Sequence, residues 1–309
     1  MRRSMSLRVD HVGRIYRPPS EAHSMLLQVT LGCSHNRCGY CDMYRDKQFR
    51  PKDWDTIRAD LDHVAEVSRR AMAQNGGQPP FSRVFLCDGD ALILPTRRLV
   101  QILEGIREAW PWVERVGTYG DTRSVGRKSV EELIRLRELG LGIVYHGMES
   151  GDDDVLVRID KGGTRAEAIE TADKLRAAGL THSVIVLLGV GGTDLSEAHA
   201  RNTASVLTRM DPPFVGALTT TLVPGTPLFD MAEAGDFVLP DQFRMLEELR
   251  TIVAESNFSR CRFSSNHASN YLPLRSELPR DKAAVVDVLD QVLARRDPAD
   301  LKPEFMRGL

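Results

Sequence analysis

The sequence predicts an α/β fold: a partial (β/α)6 barrel of the TIM type, followed by a C-terminal cap of helices and loops. Short apolar runs alternate six times with amphipathic stretches up to about residue 240. Successive strand–helix units need parallel strands and right-handed crossovers, which a doubly wound sheet or a barrel provides. With 309 residues the chain is long enough for one large barrel or for two smaller domains.

The six predicted strands are short apolar runs, and they cover residues 25–31, 83–87, 113–119, 141–147, 182–189 and 215–223. The first helix begins near Asp53, where apolar residues start to recur at helical spacing. Two later helices begin with a capping box, in which a hydroxyl and a glutamate each accept a backbone amide of the other. These boxes are formed by Ser129 with Glu132 and by Thr164 with Glu167.

The alternation of short apolar runs with amphipathic stretches ends after Pro240. A helix near 241–256 is followed by a polar stretch, and a last helix places Val285, Val288, Leu289 and Val292 on one face. We read this tail as a cap packed on the barrel. The predicted organisation is therefore an N-terminal arm, a barrel core and a C-terminal cap, at residues 1–23, 24–239 and 240–309.

Composition limits the class of protein. The formal net charge is -2, from 41 Lys+Arg against 43 Asp+Glu, so no global field favours nucleic acid as a partner. The N-terminus has no apolar signal region, and no apolar run approaches the roughly 18 residues of a membrane span. Five cysteines, mostly clustered, argue against a disulfide scaffold. We therefore expect a chain of the reducing cytoplasm, with no membrane partner.

Three of the five cysteines lie in the stretch GCSHNRCGYC, residues 32–41. Cys33, Cys38 and Cys41 have the spacing C-x4-C-x2-C. Three ligands are one short of a closed zinc site, whereas three thiolates suit an iron–sulfur cluster with one open metal corner. A zinc site with His35 as the fourth ligand is the alternative.

Polar and glycine-rich residues follow the other predicted strands. In parallel α/β folds the functional groups lie on the loops after the carboxyl ends of the strands. These loops contain Asp88-Gly89-Asp90, Asp121-Thr122-Arg123, Glu149-Ser150-Gly151, Gly189–Gly192 and Pro224–Pro227. We expect them to converge beside the cysteines, with a polar small molecule bound there.

The cysteine loop resembles that of the radical S-adenosylmethionine (SAM) superfamily, in the branch related to oxygen-independent coproporphyrinogen oxidases and elongator-type proteins. The resemblance covers roughly residues 24–230. It implies that Cys33, Cys38 and Cys41 hold a [4Fe–4S] cluster whose fourth iron is chelated by the amino and carboxylate groups of SAM. The commonest spacing in the family is C-x3-C-x2-C, so the loop here has one extra residue, which leaves the ligand count unchanged.

The resemblance also implies a reaction. An electron from a reductant such as flavodoxin or ferredoxin, passed through the cluster, breaks a carbon–sulfur bond of SAM. The resulting 5′-deoxyadenosyl radical then abstracts hydrogen from a small-molecule substrate, which is oxidised or rearranged. The alternative is a non-catalytic iron–sulfur or zinc-binding protein on an inactivated barrel.

The resemblance also implies which residues contact SAM, because several positions of this chain match SAM-binding positions of the family. Tyr40 corresponds to the aromatic residue bordering the adenine, and the acidic Glu149 to a contact of the amino group or ribose. The loop Asp88-Gly89-Asp90 stands where the family often has Gly-Gly-Glu, and its aspartates depart from that pattern. The further predicted cofactor contacts are Ser150, Gly189, Gly191 and Gly192, the glycines because they let backbone approach the adenosine closely.

The small number of further cysteines and the short segment before the first strand limit which kind of radical SAM protein we expect. Only Cys87 and Cys261 lie outside the cysteine loop, too few for a second cysteine-ligated cluster. About 24 residues precede the first strand, so we expect no cobalamin-binding domain. Arg158 and Lys161 are interpreted as surface or loop-anchoring residues.

The stretch SSNHASNYLPL, residues 264–274, is polar without a helical or strand period in its first part. Turn chemistry accounts for its asparagines and serines. The other interpretation is a cover over the barrel mouth, in which Asn266, His267 and Asn270 contact the substrate. On that interpretation His267 is a candidate catalytic residue.

Overall fold

The computed structural model describes residues 9–308, which group into two compact units. The first unit contains residues 9–36, 43–145 and 174–181. The second contains residues 37–42, 146–173 and 182–308.

The first unit is built on parallel strands. Its strands are β1 (Met25–Gln28), β2 (Thr30–Leu31), β3 (Arg50–Pro51), β4 (Arg83–Cys87), β5 (Arg115–Gly120) and the start of β6 (Leu141–Glu149). The strand order is β1-β4-β5-β6, with Leu27 opposite Leu86 in the parallel pair of β1 and β4. Strands β2 and β3 form a short antiparallel pair on either side of the cysteine loop.

Four helices accompany these strands: α1 (Trp54–Gln74), α2 (Thr96–Ala109), α3 (Thr122–Gly126) and α4 (Val130–Glu138). Helix α1 begins where predicted, because the Asp53 carboxylate accepts the amide of Thr56 at 2.8 Å. The predicted capping box of Ser129 and Glu132 opens α4. The apolar faces of these helices and strands bury a common core that includes Leu27, Ile57, Leu61, Leu86, Ile102 and Trp110.

The second unit continues the series. It contains the end of β6, then β7 (Thr181–Leu188), β8 (Phe214–Thr219), β9 (Cys261–Ser264) and β10 (Arg275–Leu278). The order is β6-β7-β8-β9-β10. Strands β7, β8 and β9 pair in parallel, and β10 is antiparallel to β9. The tail after residue 240 therefore adds two strands to the helices and loops expected there.

The helices that follow α4 are α5 (Asp153–Arg158), α6 (Arg165–Ala177), α7 (Gly192–Met210), α8 (Pro227–Ala234), α9 (Gln242–Glu255) and α10 (Lys282–Arg295). The predicted box at the start of α6 is present, with the Thr164 amide donating to Glu167 at 2.8 Å. Helices α7, α9 and α10 contribute to a second core that includes Val186, Leu207, Ile252, Phe263 and Leu289.

The predicted fold class is confirmed: a mostly parallel sheet alternating with helices, of the partial-barrel kind. All six predicted strands are present as β1, β4, β5, β6, β7 and β8, with shifted ends. The largest shift is at β8, which ends at Thr219 because Thr220–Thr226 forms the loop before α8. The division of the chain at residues 24 and 240 stays a prediction.

The polar stretch 264–274 is attached to the carboxyl end of β8. The Asn270 side chain accepts from the hydroxyl of Thr219 at 2.8 Å and donates to the carbonyl of Ala217 at 2.9 Å. The hydroxyl of Ser269 accepts the Thr219 amide at 3.1 Å and lies 2.9 Å from Nδ1 of His267. Ser269 and Asn270 are thus buried by bonds to β8, some 50 positions earlier in the chain, and not by local turn bonds alone.

Across residues 9–308, no helix combines the length and the apolar character needed to cross a membrane.

Replacing Asn270 by Ala should lower the free energy of unfolding by about 1–3 kcal/mol, because the Ala217 carbonyl and the Thr219 hydroxyl lose their buried partner. Asn266→Ala is the matched control, since Asn266 lies four positions earlier and is exposed. Denaturant unfolding of both variants measures the difference. Equal stability of the two variants would contradict the anchoring role of Asn270.

Candidate cofactor site

In the first unit, the start of the cysteine loop rests on the loop after β4. The amide of Gly32 donates to Oδ2 of Asp88 at 3.0 Å, and the carbonyl of Gly32 accepts from Gly89 at 3.2 Å. A Cβ on Gly89 would lie 2.9 Å from the Cβ of Cys33. Only glycine fits there, so the backbone of this loop lies directly against the half-buried Cys33.

Asp88 is fully buried and takes part in holding this loop. Besides Gly32, its Oδ2 accepts from Gln28 Nε2 at 3.0 Å and from Lys47 Nζ at 3.0 Å. Its other oxygen, Oδ1, is buried and has no hydrogen-bond partner among residues 9–308. Oδ2 of the carboxylate therefore supports the loop, and Oδ1 is a buried acceptor that lacks a donor among residues 9–308.

Asp90 lies on the other side of Gly89. Its Oδ2 accepts from the hydroxyl of Ser34 at 2.7 Å, and its Oδ1 is also buried without a partner in the described part of the chain. Burial and, secondarily, the nearby Asp121 raise the pKa of Asp90 to about 7. The two aspartates that depart from the family pattern thus both contact the cysteine loop.

His35, the alternative zinc ligand, lies 2.7 Å from Arg123 through its Nδ1. Because a guanidinium only donates, Nδ1 must be the acceptor. Arg123 is itself paired with Asp121. The nitrogen Nδ1 is thereby occupied, which disfavours zinc coordination through that atom.

In the second unit, the end of the cysteine loop is fixed through Gly39. Its amide donates to the carbonyl of Ile159 at 2.6 Å, and its carbonyl accepts from Leu228 at 2.9 Å. Cys38 and Cys41, on either side of Gly39 and Tyr40, are half-buried. The ring of Tyr40 packs on an apolar cluster formed by Val155, Ile159, Leu187 and Val190.

The hydroxyl of Tyr40 donates to Oε1 of Glu149 at 2.8 Å. Lys161 Nζ lies 3.0 Å from the same oxygen and 3.5 Å from the Tyr40 hydroxyl. Burial and, secondarily, the Glu149 charge raise the pKa of Tyr40 well above its ordinary value, so the phenol remains a donor. This carboxylate–tyrosine–lysine group unites two predicted site residues with one that was interpreted as a surface or loop residue.

The backbone of Glu149 has a φ of 65°, in the left-handed region that most residues avoid. Its side chain turns back over Gly147, where an added Cβ would lie 2.5 Å from Oε1. Such backbone strain is typical of functional positions. The next residue, Ser150, is buried, with its hydroxyl 2.8 Å from Nδ1 of His199.

The glycine turn after β7 is held by residues outside the turn. Gly189 and Gly192 have φ of 79° and 70°, conformations that glycine adopts without strain. The amide of Gly189 donates to Glu248 at 2.6 Å, and the carbonyl of Gly191 accepts from Arg158 at 2.7 Å. The loop-anchoring interpretation of Arg158 agrees with this contact.

Among residues 9–308, no group of three or more His, Cys, Asp or Glu side chains is drawn together around a metal position. Cys33 belongs to the first unit, and Cys38 and Cys41 to the second. By its chemistry the donor set fits a cluster: three half-buried thiols lie on one loop, and cysteine thiolates are the ligands of iron–sulfur clusters.

Sequence reasoning did not identify Lys47 or the role of Lys161. Lys47 lies 41 positions from Asp88, and Lys161 lies 12 positions from Glu149. Neither separation follows a helical or strand period. The available signal was only the residue type: each is a lysine in a loop, and Lys161 is followed by two glycines, a pattern that is common on protein surfaces.

Parallel strands, a three-cysteine loop after the first of them and an anchored glycine turn define an α/β barrel that binds a cluster and an organic cofactor. The family described as the Radical SAM superfamily matches residues 27–205. The chain therefore belongs to the radical SAM superfamily, as the sequence predicted. The cofactors of this superfamily are a [4Fe–4S] cluster and SAM.

Comparisons with individual proteins agree with this assignment. The heme chaperone HemW of Bacillus subtilis is 21% identical over 253 residues, covering 77% of this chain and 64% of HemW. The methyltransferase TsrM of Kitasatospora setae, solved with tryptophan and a SAM analogue, has a TM-score of 0.53 at 18% identity. That match covers 69% of this chain and 39% of TsrM.

Coproporphyrinogen III oxidase (HemN) of Escherichia coli has a TM-score of 0.52 at 14% identity, covering 75% of this chain and 51% of HemN. At these identities the structural matches establish the fold alone. The chain spans less than two thirds of the length of each of these three relatives.

Replacing Lys47 by Met should lower the free energy of unfolding by about 3–5 kcal/mol, because the buried Asp88 carboxylate loses its cation. Arg58→Met is the matched control: Arg58 pairs with Glu108, but their side chains are 37% and 65% exposed. That change should cost at most about 1 kcal/mol. Denaturant unfolding compares the two, and similar losses would contradict the role of the buried pair.

Proposed function

We propose that this chain is a radical SAM enzyme that cleaves SAM reductively and uses the 5′-deoxyadenosyl radical to abstract hydrogen from a small-molecule substrate. The substrate would be oxidised or rearranged. The observation that carries the proposal is the group formed by Tyr40, Glu149 and Lys161 in the unit that also contains Cys38 and Cys41. A chain that only stores iron or zinc has no need for this group.

In this proposal Cys33, Cys38 and Cys41 hold the cluster. When bound, the cluster supplies the electron that breaks a carbon–sulfur bond of SAM. Because Tyr40 and Lys161 both contact Oε1 of Glu149, we assign the other oxygen, Oε2, to the amino group or a ribose hydroxyl of SAM. The ring of Tyr40 then borders the adenine.

The remaining SAM contacts are assigned to backbone and to buried acceptors. The loop Asp88-Gly89-Asp90 offers unsatisfied oxygens on both sides of Gly89, which suit the SAM ammonium. The glycine turn of Gly189, Gly191 and Gly192 lets backbone approach the adenosine. Ser150 contributes by fixing the loop that carries Glu149.

The reaction needs electrons from outside the chain. We assign this role to a flavodoxin- or ferredoxin-type reductant. The cytoplasmic setting expected from cysteine usage suits such a partner.

The similarity to HemW raises heme binding as a second candidate function. A chain that binds heme without cleaving SAM would be non-catalytic, like the iron–sulfur or zinc-binding alternative, but with a different ligand. Anaerobically reconstituted protein, reduced with dithionite and supplied with SAM, distinguishes the two. Formation of 5′-deoxyadenosine supports the enzyme, whereas stoichiometric hemin binding without 5′-deoxyadenosine supports the second candidate.

Replacing Cys33, Cys38 and Cys41 together by Ala should abolish cluster binding while the chain remains folded, because the apolar cores lie elsewhere. Iron analysis after reconstitution should fall from about four irons per chain, the content of a cubane, to near zero. Replacing the buried Cys87 and Cys261 by Ala should leave the iron content unchanged. A triple variant that retains its iron would refute the ligand assignment.

Glu149→Ala should keep the cluster and weaken SAM binding by about tenfold to a hundredfold, the effect of losing one charge-assisted hydrogen bond. Equilibrium dialysis of reconstituted protein measures this affinity. Glu233→Ala in α8 removes an exposed carboxylate and should bind SAM like the wild type. Unchanged affinity in the Glu149 variant would place Glu149 outside the cofactor site.

His267→Ala should keep its iron, bind SAM normally and still cleave SAM slowly without substrate, while substrate-dependent turnover falls. The half-buried imidazole is next to the anchored Ser269, so a cover over the reacting groups would depend on it. Deuterium transfer from substrate into 5′-deoxyadenosine measures the effect. His63→Ala, at an exposed position of α1, is the control. Wild-type transfer in the His267 variant would make 264–274 a connecting loop.

A further inference from the structure

Helix α7 contacts two loops that the proposed function assigns to SAM. It begins at Gly192, inside the glycine turn. About two to three turns further along, its side chains hold the loop after β6. The bonds are Ser150 Oγ to His199 Nδ1 at 2.8 Å, Gly151 N to Thr203 Oγ1 at 2.9 Å, and Asn202 Nδ2 to Asp152 Oδ2 at 2.6 Å.

The loop after β6 lies directly on the backbone of α7. A Cβ on Gly151 would lie 2.6 Å from the carbonyl oxygen of Asn202 and 2.7 Å from the Cα of Thr203. Because backbone atoms cannot move aside as a side chain would, no space separates this loop from the helix. Any movement of α7 therefore moves Glu149's loop as well.

The glycine turn is fastened to the same helix and to α9. A Cβ on Gly191 would lie 3.2 Å from the Cβ of His199. Glu248, on α9, accepts from the Gly189 amide at 2.6 Å and from the Ser196 hydroxyl at 2.7 Å. Its Oε2 also lies 3.9 Å from Nε2 of His199. Among residues 9–308, Nε2 of His199 has no hydrogen-bond partner, so His199 meets the turn by packing. Glu248 is buried, which makes its bonds to Gly189 and Ser196 costly to lose.

We infer that His199 and Glu248 are positioning residues that fix the spacing between the loop of Glu149 and the glycine turn. The inference rests on the proposed function, in which these loops bind opposite ends of one molecule: the amino group or ribose, and the adenosine. A ligand gripped at two points loses affinity when the points shift, because both contacts cannot then be made at once. Neither residue touches SAM in this account.

The first test measures SAM affinity of reconstituted protein by equilibrium dialysis. Glu248→Ala should bind SAM about tenfold more weakly, the change expected when one well-placed hydrogen bond is lost. Glu248→Gln should restore near-wild-type affinity, because its carbonyl can accept from Gly189 while its amide donates to Ser196. Ile252→Val, buried in the same helix, is the control for a general loss of stability and should bind SAM normally.

The second test uses amide hydrogen exchange without SAM, so it does not depend on the chemistry. Glu248→Ala should speed exchange in 189–193 and also in 150–153, since the loops are coupled through His199. Ser150→Ala, a smaller change, should speed exchange in the glycine turn. Ile252→Val should change neither segment selectively.

The outcomes separate the two proposals. Wild-type protein that does not bind SAM contradicts the proposed function, and with it the role of the pair toward SAM. If the wild type binds SAM, wild-type affinity in Glu248→Ala contradicts the inference alone. Faster exchange confined to the loop next to each substitution would also overturn the coupling.

Discussion

Burial of the Asp88 carboxylate is the constraint on which the cysteine loop depends. The loop has little regular structure of its own, so contacts with other segments have to fix the position of its start. A buried carboxylate requires a cation and hydrogen-bond donors. Lys47, beyond the loop, Gly32, at its start, and Gln28, in β1, all meet at Oδ2 of Asp88. One charged atom thus holds the start of the loop and the segment that follows the loop.

The second unit uses a carboxylate differently. Glu149 has a lysine and a phenol at one oxygen, and its side chain remains 8% exposed. Asp88, by contrast, is completely buried and binds backbone as well as side chains. The two carboxylates follow strands of the same type, yet Asp88 is bound by backbone and side chains around the cysteine loop, whereas Glu149 is bound at one oxygen by two side chains.

The features that could be predicted from the sequence are those that depend on local pattern. The strands show as apolar runs, the starts of α4 and α6 as capping boxes, and the cluster loop as three cysteines in nine positions. The partners of Asp88 and Glu149 depend on packing between distant segments, which no local period reports. The same holds for β9 and β10, short strands whose register is set by β8. The polar character of residues 264–274 is evident in the sequence, but their hydrogen bonds to Ala217 and Thr219 are not.

Strand β10 is the last in the order, where a parallel series would otherwise end in an open row of amides and carbonyls. It has four residues, its Arg275 and Glu277 alternate with buried Ser276 and Leu278, and Pro279 follows at once. Glu277 is also paired with Arg262 of β9 at 2.9 Å. Short length, charges and a proline discourage the addition of a foreign strand. We therefore expect this small hairpin-like extension to lower the tendency of the chain to aggregate edge to edge.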